Sequence, residues 1–322
     1  MCKKNFALIG ASGYIAPRHM KAIMETGNDL IAALDPYDGI GIMDSHFPKA
    51  SFFTEFERFD RFIDKYHRES DKKIDYIAIT TPNYLHDAHI RFALKSGADA
   101  ICEKPLVLNP HNLDQLKIIE KETGKKVYTI LQLRLHPSII ALKEKVVNEL
   151  KQNPNKIYDI DLTYLTSRGK WYFVSWKGDE PKSGGIASNI GVHFYDMLSW
   201  IFGEVKENIV NIKTEDTNAG ILKLKNANVK WFLSVNYDYI PEKIKKSGQT
   251  TYRSIKVEND EIEFSGGFKD LHTRSYEEIL KGNGFGLDDA YGSINIVSKI
   301  RKLKPIGLQG NYHEFCKKLK NV

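Results

Sequence analysis

Cysteine is scarce in this chain. Cys2, Cys102 and Cys316 lie far apart and form no C-x-x-C pair, so neither a disulfide framework nor a thiolate zinc cluster is expected, in keeping with a reducing cytoplasmic setting. Long apolar runs are missing too. None approaches the roughly twenty residues that cross a bilayer, and the basic start Met1-Cys2-Lys3-Lys4 leads into too short an apolar stretch for a signal peptide. No membrane partner is expected. Nor is the charge one-sided: 47 basic side chains are scattered among 41 acidic ones, for a net +6. That surplus suits a small anionic ligand, whereas nucleic acid needs a clustered basic face. The Lys-rich pieces 121–126 and 243–246 read as solvated helix ends or loops. Internal repeats and low-complexity segments are absent. What is present is a globular composition, 42% hydrophobic and 27% charged, in 322 residues, enough for two domains with a sizeable core.

Across the first 130 residues, short apolar runs alternate with helical patterns. Strands are expected at 6–10, 30–34, 75–80, 98–102 and 126–131, with helices at 16–25, 88–96 and 112–123. Continuous apolar strands between helices argue for a parallel sheet covered on both faces. From about residue 155 the texture becomes a period-two alternation, at 158–165, 220–224, 229–235 and 255–264, with turns at 225–228 and 258–261. Such alternation argues for an antiparallel sheet with one buried face. Helical patterns fall at 139–150, 193–202 and 288–302. The predicted class is α/β: a doubly wound parallel sheet over 1–130, then an α+β domain over 131–322. The second domain has a large, open, mostly antiparallel sheet, and the C-terminal helix is expected to pack back on the first domain.

The first strand ends in Gly10-Ala11-Ser12-Gly13-Tyr14-Ile15-Ala16, a G-x-x-G-x-x-A turn. Glycines there let the chain reverse into a helix and let backbone N–H groups approach a pyrophosphate, whose charge the helix N-terminus stabilises. Gly10, Ser12, Gly13, Tyr14 and Ile15 are the expected pyrophosphate contacts. Asp35 closes the next strand, 22 residues after Gly13. A carboxylate there accepts hydrogen bonds from ribose hydroxyls and repels a 2′-phosphate. With Pro36-Tyr37-Asp38 following and no Arg or Lys, NAD is expected rather than NADP.

Two further clusters follow. Thr81-Pro82-Asn83 with His86 comes after one strand, and Glu103-Lys104-Pro105 after the next. About ninety residues on come Gly184-Gly185, Asn189, Gly191, His193 and Asp196. Together these resemble the Gfo/Idh/MocA family of NAD(P)-dependent oxidoreductases, which act mostly on sugars and cyclitols. Gln132-Leu-Arg-Leu-His-Pro137, Ser167-Arg-Gly-Lys-Trp-Tyr172, Ser175-Trp-Lys-Gly-Asp179 and Lys182 to His193 narrow the resemblance. They are similar to its WlbA/WbpB-type group, the UDP-N-acetyl-2-amino-2-deoxyglucuronate dehydrogenases. The resemblance implies a Rossmann domain, oxidation of a sugar C3 hydroxyl to a ketone in bacterial surface-polysaccharide synthesis, and tightly held NADH reoxidised by 2-oxoglutarate. It also implies a dimer or tetramer formed through the open sheet. Thr81, Asn83, His86, Glu103, Lys104 and Gln132 are carried over as cofactor contacts, with a cis bond before Pro105.

The residue chemistry fits that implication. Oxidising a secondary alcohol needs a hydride acceptor, a base for the hydroxyl proton and a stabiliser for the developing alkoxide. His193 is the candidate base. Lys104, at the C-terminal end of a strand, is the candidate donor to the oxygen. Asn189 departs from the Asp that many relatives carry; it can hydrogen-bond the substrate or orient His193 but cannot take a proton. Asp196 reads as structural. Arg134, Arg168, Lys177 and Arg274 are candidate cations for a diphosphate and a carboxylate. Trp171, Tyr172 and Trp176 are candidates to stack on the base or sugar, or simply to pack. His136 either contacts substrate or shapes its loop, and the segment with His272, Arg274 and Tyr276 is expected to border the crevice. His86 and His89 have metal-like spacing without a third ligand, so no metal is expected. Another sugar or inositol dehydrogenase, and a catalytically silent NAD-binding regulator, stay open as alternatives.

Overall fold

The structure, a computed structural model, describes residues 3–39, 41–69, 73–258, 260–262 and 270–319. The chain forms two compact units, one of Met1–Gln132 with Asp270–Tyr291, the other of Leu133–Lys269 with Gly292–Val322.

In the first unit the elements run β1 (Asn5–Ile9), α1 (Ala16–Glu25), β2 (Asp29–Leu34), α2 (Ile42–His46), β3 (Ser51–Phe53), α3 (Phe56–Glu69), β4 (Tyr76–Ile79), α4 (His86–Lys95), β5 (Asp99–Cys102), α5 (Pro110–Thr123) and β6 (Val127–Thr129). The strands make one parallel sheet in the order β3-β2-β1-β4-β5-β6. Strand order reverses between β1 and β4, the point at which doubly wound sheets bind ligands beyond the strand C-termini. Phe6, Leu8, Ile77, Ile79 and Ile101 are buried, as a sheet covered on both faces requires. Three elements were not expected, α2, β3 and α3. Only Phe59 and Ile63 of α3 are buried, and that apolar stripe is too thin to stand out among its charges.

The second unit runs α6 (Pro137–Gln152), β7 (Tyr158–Thr166), α7 (Trp171–Val174), α8 (Glu180–Ser183), α9 (Val192–Phe202), β8 (Val205–Lys213), β9 (Thr217–Leu224), β10 (Ala227–Ser234), α10 (Glu242–Lys246), β11 (Thr251–Val257) and β12 (Asp260–Ile262). Its sheet has the order β12-β11-β7-β10-β9-β8, antiparallel throughout except for the central β7–β10 pair. The strand expected over 255–264 is the end of β11 and its return, β12; Asn259 of the turn and residues 263–264 lie outside the described residues. Side chains alternate on β10 as anticipated, but both faces are buried there, where one buried face was expected. Trp231 packs edge-on against Tyr195 of α9, while Phe232 turns to the opposite face and meets Tyr239, His313 and Phe315. The chain's own C-terminal segment thus covers that part of the outer face, and burying a Phe such as Phe232 contributes about 1.5–3 kcal/mol.

Helix α11 (Leu271–Leu280) belongs to the first unit, and the division between units falls inside α12 (Leu287–Lys302). Helix α11 is tied to α1 by Lys21–Asp270 at 2.7 Å and by the Thr273 hydroxyl donating to Glu25 at 2.7 Å. Tyr276 and Ile279 enter the core formed by Phe6, Leu8, Met20 and Ile23.

Burial sets the acid response of the fold. His313 Nδ1 accepts Phe315 N–H and its Nε2 faces the Thr163 hydroxyl at 3.0 Å, an arrangement that the neutral ring satisfies. Burial pushes His313 and His89 down to about 4. Their folded pKa values lie below the unfolded one. Unfolded chains therefore bind protons that folded ones do not between about pH 6.5 and 4, and stability, full above that window, falls by about 1.4 kcal/mol per pH unit for each ring. The melting temperature should drop as pH falls from about 6.5 to 5, and His313→Gln should flatten the slope. A flat profile in the parent chain would contradict the burial of neutral rings.

Candidate active site

The turn after β1 is built around a backbone that only glycine fits. Gly10 has φ +96°, and a Cβ there would lie 2.8 Å from the Thr80 carbonyl carbon and the Thr81 nitrogen. Gly13 N–H donates to the Gly10 carbonyl and Ala16 N–H to that of Gly13, so the turn winds directly into α1. Asp35 is buried and braces the loop: its Oδ2 accepts Ser12 N–H and its Oδ1 accepts Tyr37 N–H, both at 2.9 Å. Ser12 Oγ in turn donates to the Tyr37 carbonyl. Ile15 precedes α1 and Tyr14 is 85% exposed, its ring lying open on the surface. Gly10→Ala should cut NAD affinity by about tenfold or more and lower the melting temperature, because backbone on both sides must shift. Unchanged binding by titration calorimetry would show that the loop is looser than its contacts indicate.

His86 lies between the loops that follow β4 and β5. This ring is fully buried, with Nδ1 2.8 Å from the Pro105 carbonyl and Nε2 2.8 Å from the Thr81 carbonyl. Burial lowers its pKa against the pull of those two acceptors. A neutral ring carries one N–H and can donate to one of the two carbonyls, so His86 sits between the two loops at bonding distance from each; Asn83 is buried. His89 Nδ1 is held by the Thr81 hydroxyl at 3.0 Å. The Lys104–Pro105 bond is cis. Lys104 is half-buried, and its N–H donates to Glu103 Oε2 at 3.2 Å. Glu103 is buried and its Oε1 is engaged by His19 and His272. His19 carries no signal in sequence, since its partners lie 84 and 257 residues away.

A cofactor needs room for its pyrophosphate and polar atoms for its nicotinamide end. Gly10 and Gly13 carry no side chains at the turn. Gln132 Oε1 is buried with no hydrogen-bond partner, an acceptor suited to the carboxamide of a nicotinamide. Among the described residues, His19, Glu103 and His272 are the group with metal-like spacing.

In the second unit the histidine segment follows α8. Gly184 and Gly185 both have positive φ, and a π-helical turn, Ala187–Gly191, leads into α9; such turns are frequent at functional sites. A Cβ at Gly191 would come within 2.6 Å of Leu233 Cδ1, so any larger residue would displace the Leu233 side chain on β10. His193, in the first turn of α9, is half-buried. Asn189 Nδ2 donates to the Tyr172 hydroxyl at 2.9 Å. Tyr172 is buried, so it anchors α7 to the turn instead of offering a face for stacking. Trp171 is exposed, and the Lys177 ammonium lies 5.2 Å from its ring and 5.5 Å from that of Trp176.

The expected cations divide. Arg134 is buried and gives Nε–H and Nη2–H to the two oxygens of buried Asp196, at 2.9 and 2.8 Å. Its guanidinium thereby steadies the helix that carries His193; removing one partner of such a pair costs about 3–5 kcal/mol. Arg168 and Arg274 are exposed, the latter on α11. His136 caps α6, its Nδ1 accepting Ser138 N–H.

A doubly wound domain with a Gly turn and a buried acid after its second strand, joined to a sheet domain bearing Asn and His, defines an NAD-binding oxidoreductase. Residues 4–131 match the oxidoreductase family's NAD-binding Rossmann fold, and residues 155–243 match its C-terminal alpha/beta domain. The chain belongs to the Gfo/Idh/MocA oxidoreductase family. It is similar to the WlbA (WbpB) dehydrogenase of Thermus thermophilus, solved in complex with NAD and UDP-GlcNAcA. The two are 48% identical with a TM-score of 0.92, over 97% of this chain and 99% of that one. The same Thermus enzyme has also been solved with NAD and alpha-ketoglutarate. WlbA of Bordetella pertussis shares the fold, with a TM-score of 0.75 at 18% identity, over 94% of this chain and 95% of that one. Among curated relatives, scyllo-inositol 2-dehydrogenase (NADP(+)) IolW of Bacillus subtilis is 24% identical over 200 residues, 59% of this chain and 51% of that one. The match thus spans about half the length of that relative.

Proposed function

We propose that this enzyme oxidises the C3 hydroxyl of UDP-N-acetylglucosaminuronic acid to the ketone with NAD. The observation that carries the reading is the 48% identity, over nearly the whole chain, to an enzyme solved with NAD and that nucleotide sugar. Bound NAD supplies the hydride acceptor. His193 takes the proton from the sugar hydroxyl, and Lys104 donates to the same oxygen as negative charge develops on it. Asn189 holds Tyr172, and the Arg134–Asp196 pair holds α9, so the imidazole is presented from a braced helix start. Exposed Arg168, half-buried Lys177 with its two tryptophans, and Arg274 are the cations proposed for the substrate's diphosphate and carboxylate.

Asp35 selects NAD by meeting the ribose hydroxyls with a negative charge. Asp35→Asn keeps an acceptor for Ser12 N–H and removes the charge. Its ratio of kcat/KM for NAD over NADP should therefore fall about tenfold or more; an unchanged ratio would place the discrimination elsewhere. The product ketone belongs to the synthesis of surface-polysaccharide (O-antigen) sugars in the bacterial cytoplasm. Reoxidation of NADH on the enzyme by 2-oxoglutarate closes the cycle, since cations that read a uronate also suit a small dicarboxylate. Assembly as a dimer or tetramer uses the open sheet. The substrate is tested by comparing kcat/KM for UDP-N-acetylglucosaminuronic acid with those for UDP-N-acetylglucosamine and myo-inositol. A preference of about a hundredfold or more for the uronate is expected, and equal or better use of inositol would overturn the assignment.

A further inference from the structure

Four buried side chains of the first unit form a hydrogen-bonded chain to which the reaction assigns no step. His19 stands on α1, Glu103 directly follows β5, and His272 and Tyr276 lie one turn apart on α11. The Tyr276 hydroxyl is 2.7 Å from His19 Nδ1. His19 Nε2 is 3.0 Å, and His272 Nε2 2.9 Å, from Glu103 Oε1. The other carboxylate oxygen accepts Lys104 N–H.

The directions of these bonds follow from the charge. Burial would raise the Glu103 pKa, but its hydrogen bonds to the two histidines outweigh that and hold it well below the usual range. An ionised carboxylate only accepts, so both Nε2 atoms carry protons. Burial lowers the His19 pKa, so that ring is neutral with a bare Nδ1. Tyr276, whose hydroxyl burial keeps protonated, must donate to it. Each bond then has one direction, and the carboxylate has one place. Burying this charge costs more than an apolar cluster of equal volume would; what the arrangement adds is a fixed acceptor beneath the Lys104 backbone.

We propose that His19, His272 and Tyr276 are positioning residues for Lys104, acting through Glu103. The proposal rests on the reading of Lys104 as the donor to the reacting oxygen. It gives α11, which returns to this unit late in the chain, a part in the chemistry. The ligand atoms of His19, Glu103 and His272 also lie within 4.8 Å of one another, a spacing that a metal could use; the proton arrangement fills that space with hydrogen bonds instead.

Hydrogen–deuterium exchange at the Lys104 amide of the full chain reads this contact without any substrate. His272→Leu should speed exchange about tenfold or more. His272→Gln keeps an N–H donor and should stay within about threefold of the parent, with Tyr276→Phe in between. Turnover should fall in the same order while the Kd for NAD holds within about threefold. Parent-like exchange in His272→Leu, or a Gln variant no better than Leu, overturns the proposal. So does faster exchange of the parent on treatment with a chelator, which would make the cluster a metal site. If the parent chain oxidises no nucleotide sugar, the functional reading falls, and the exchange rates still decide the positioning.

Discussion

Lys104→Ala is expected to reduce turnover by about a hundredfold or more while NAD still binds. The alkoxide that develops as hydride leaves carbon is the species whose charge must be met, and a preorganised ammonium meets it without reorganisation at the moment of reaction. The loop that carries Lys104 is contacted from two sides, by His86 at the Pro105 carbonyl and by Glu103 at the Lys104 N–H. Truncating the side chain leaves both contacts intact, so the Kd for NAD should change by no more than about threefold. Stopped-flow turnover combined with calorimetric NAD binding checks the split. Turnover within a few-fold of the parent would remove Lys104 from the reaction.

His193→Ala should carry a loss of similar size, about a hundredfold or more. His193 is half-buried at the start of α9, while the bonds that brace this region belong to its neighbours, Asn189 to Tyr172 and Arg134 to Asp196. The substitution removes the proton acceptor and leaves those two bonds in place. Asn189 cannot replace it, because an amide has no lone pair basic enough to take the proton. If His193 acts as the base, the variant's rate should rise with pH as hydroxide takes over the task. A rate close to the parent's would assign His193 a purely structural place.

Much of this protein is legible in its sequence where a local rule governs. The periodicity places α1 at 16–25, as found, and the edges of β1, β2, β4 and β5 within two residues, because buried parallel strands are continuous apolar runs. The G-x-x-G-x-x-A turn is equally local: Gly10 must be glycine for steric reasons that its neighbours reveal. Long-range partners are not legible. Nothing near Arg134 in sequence announces Asp196, 62 residues on, and an exposed cation and a buried one look the same in a string of letters. Tyr172 reads as a stacking ring until its burial and its bond to Asn189 are seen. His19 is silent until α11 brings His272 and Tyr276 to it. Alternation in the second sheet gives β7, β9, β10 and β11, but neither β8 nor the parallel β7–β10 pair, since side-chain period is the same in either direction.

The central claim is that this chain withdraws hydride from a UDP-sugar uronate and passes it to NAD. Absorbance at the reduced-nicotinamide band, on mixing the purified NAD-loaded protein with UDP-N-acetylglucosaminuronic acid, tests it most directly. A rapid rise of about one equivalent per site is expected, collapsing when 2-oxoglutarate is added. No rise with the nucleotide sugar, in protein shown to hold NAD, would contradict the account.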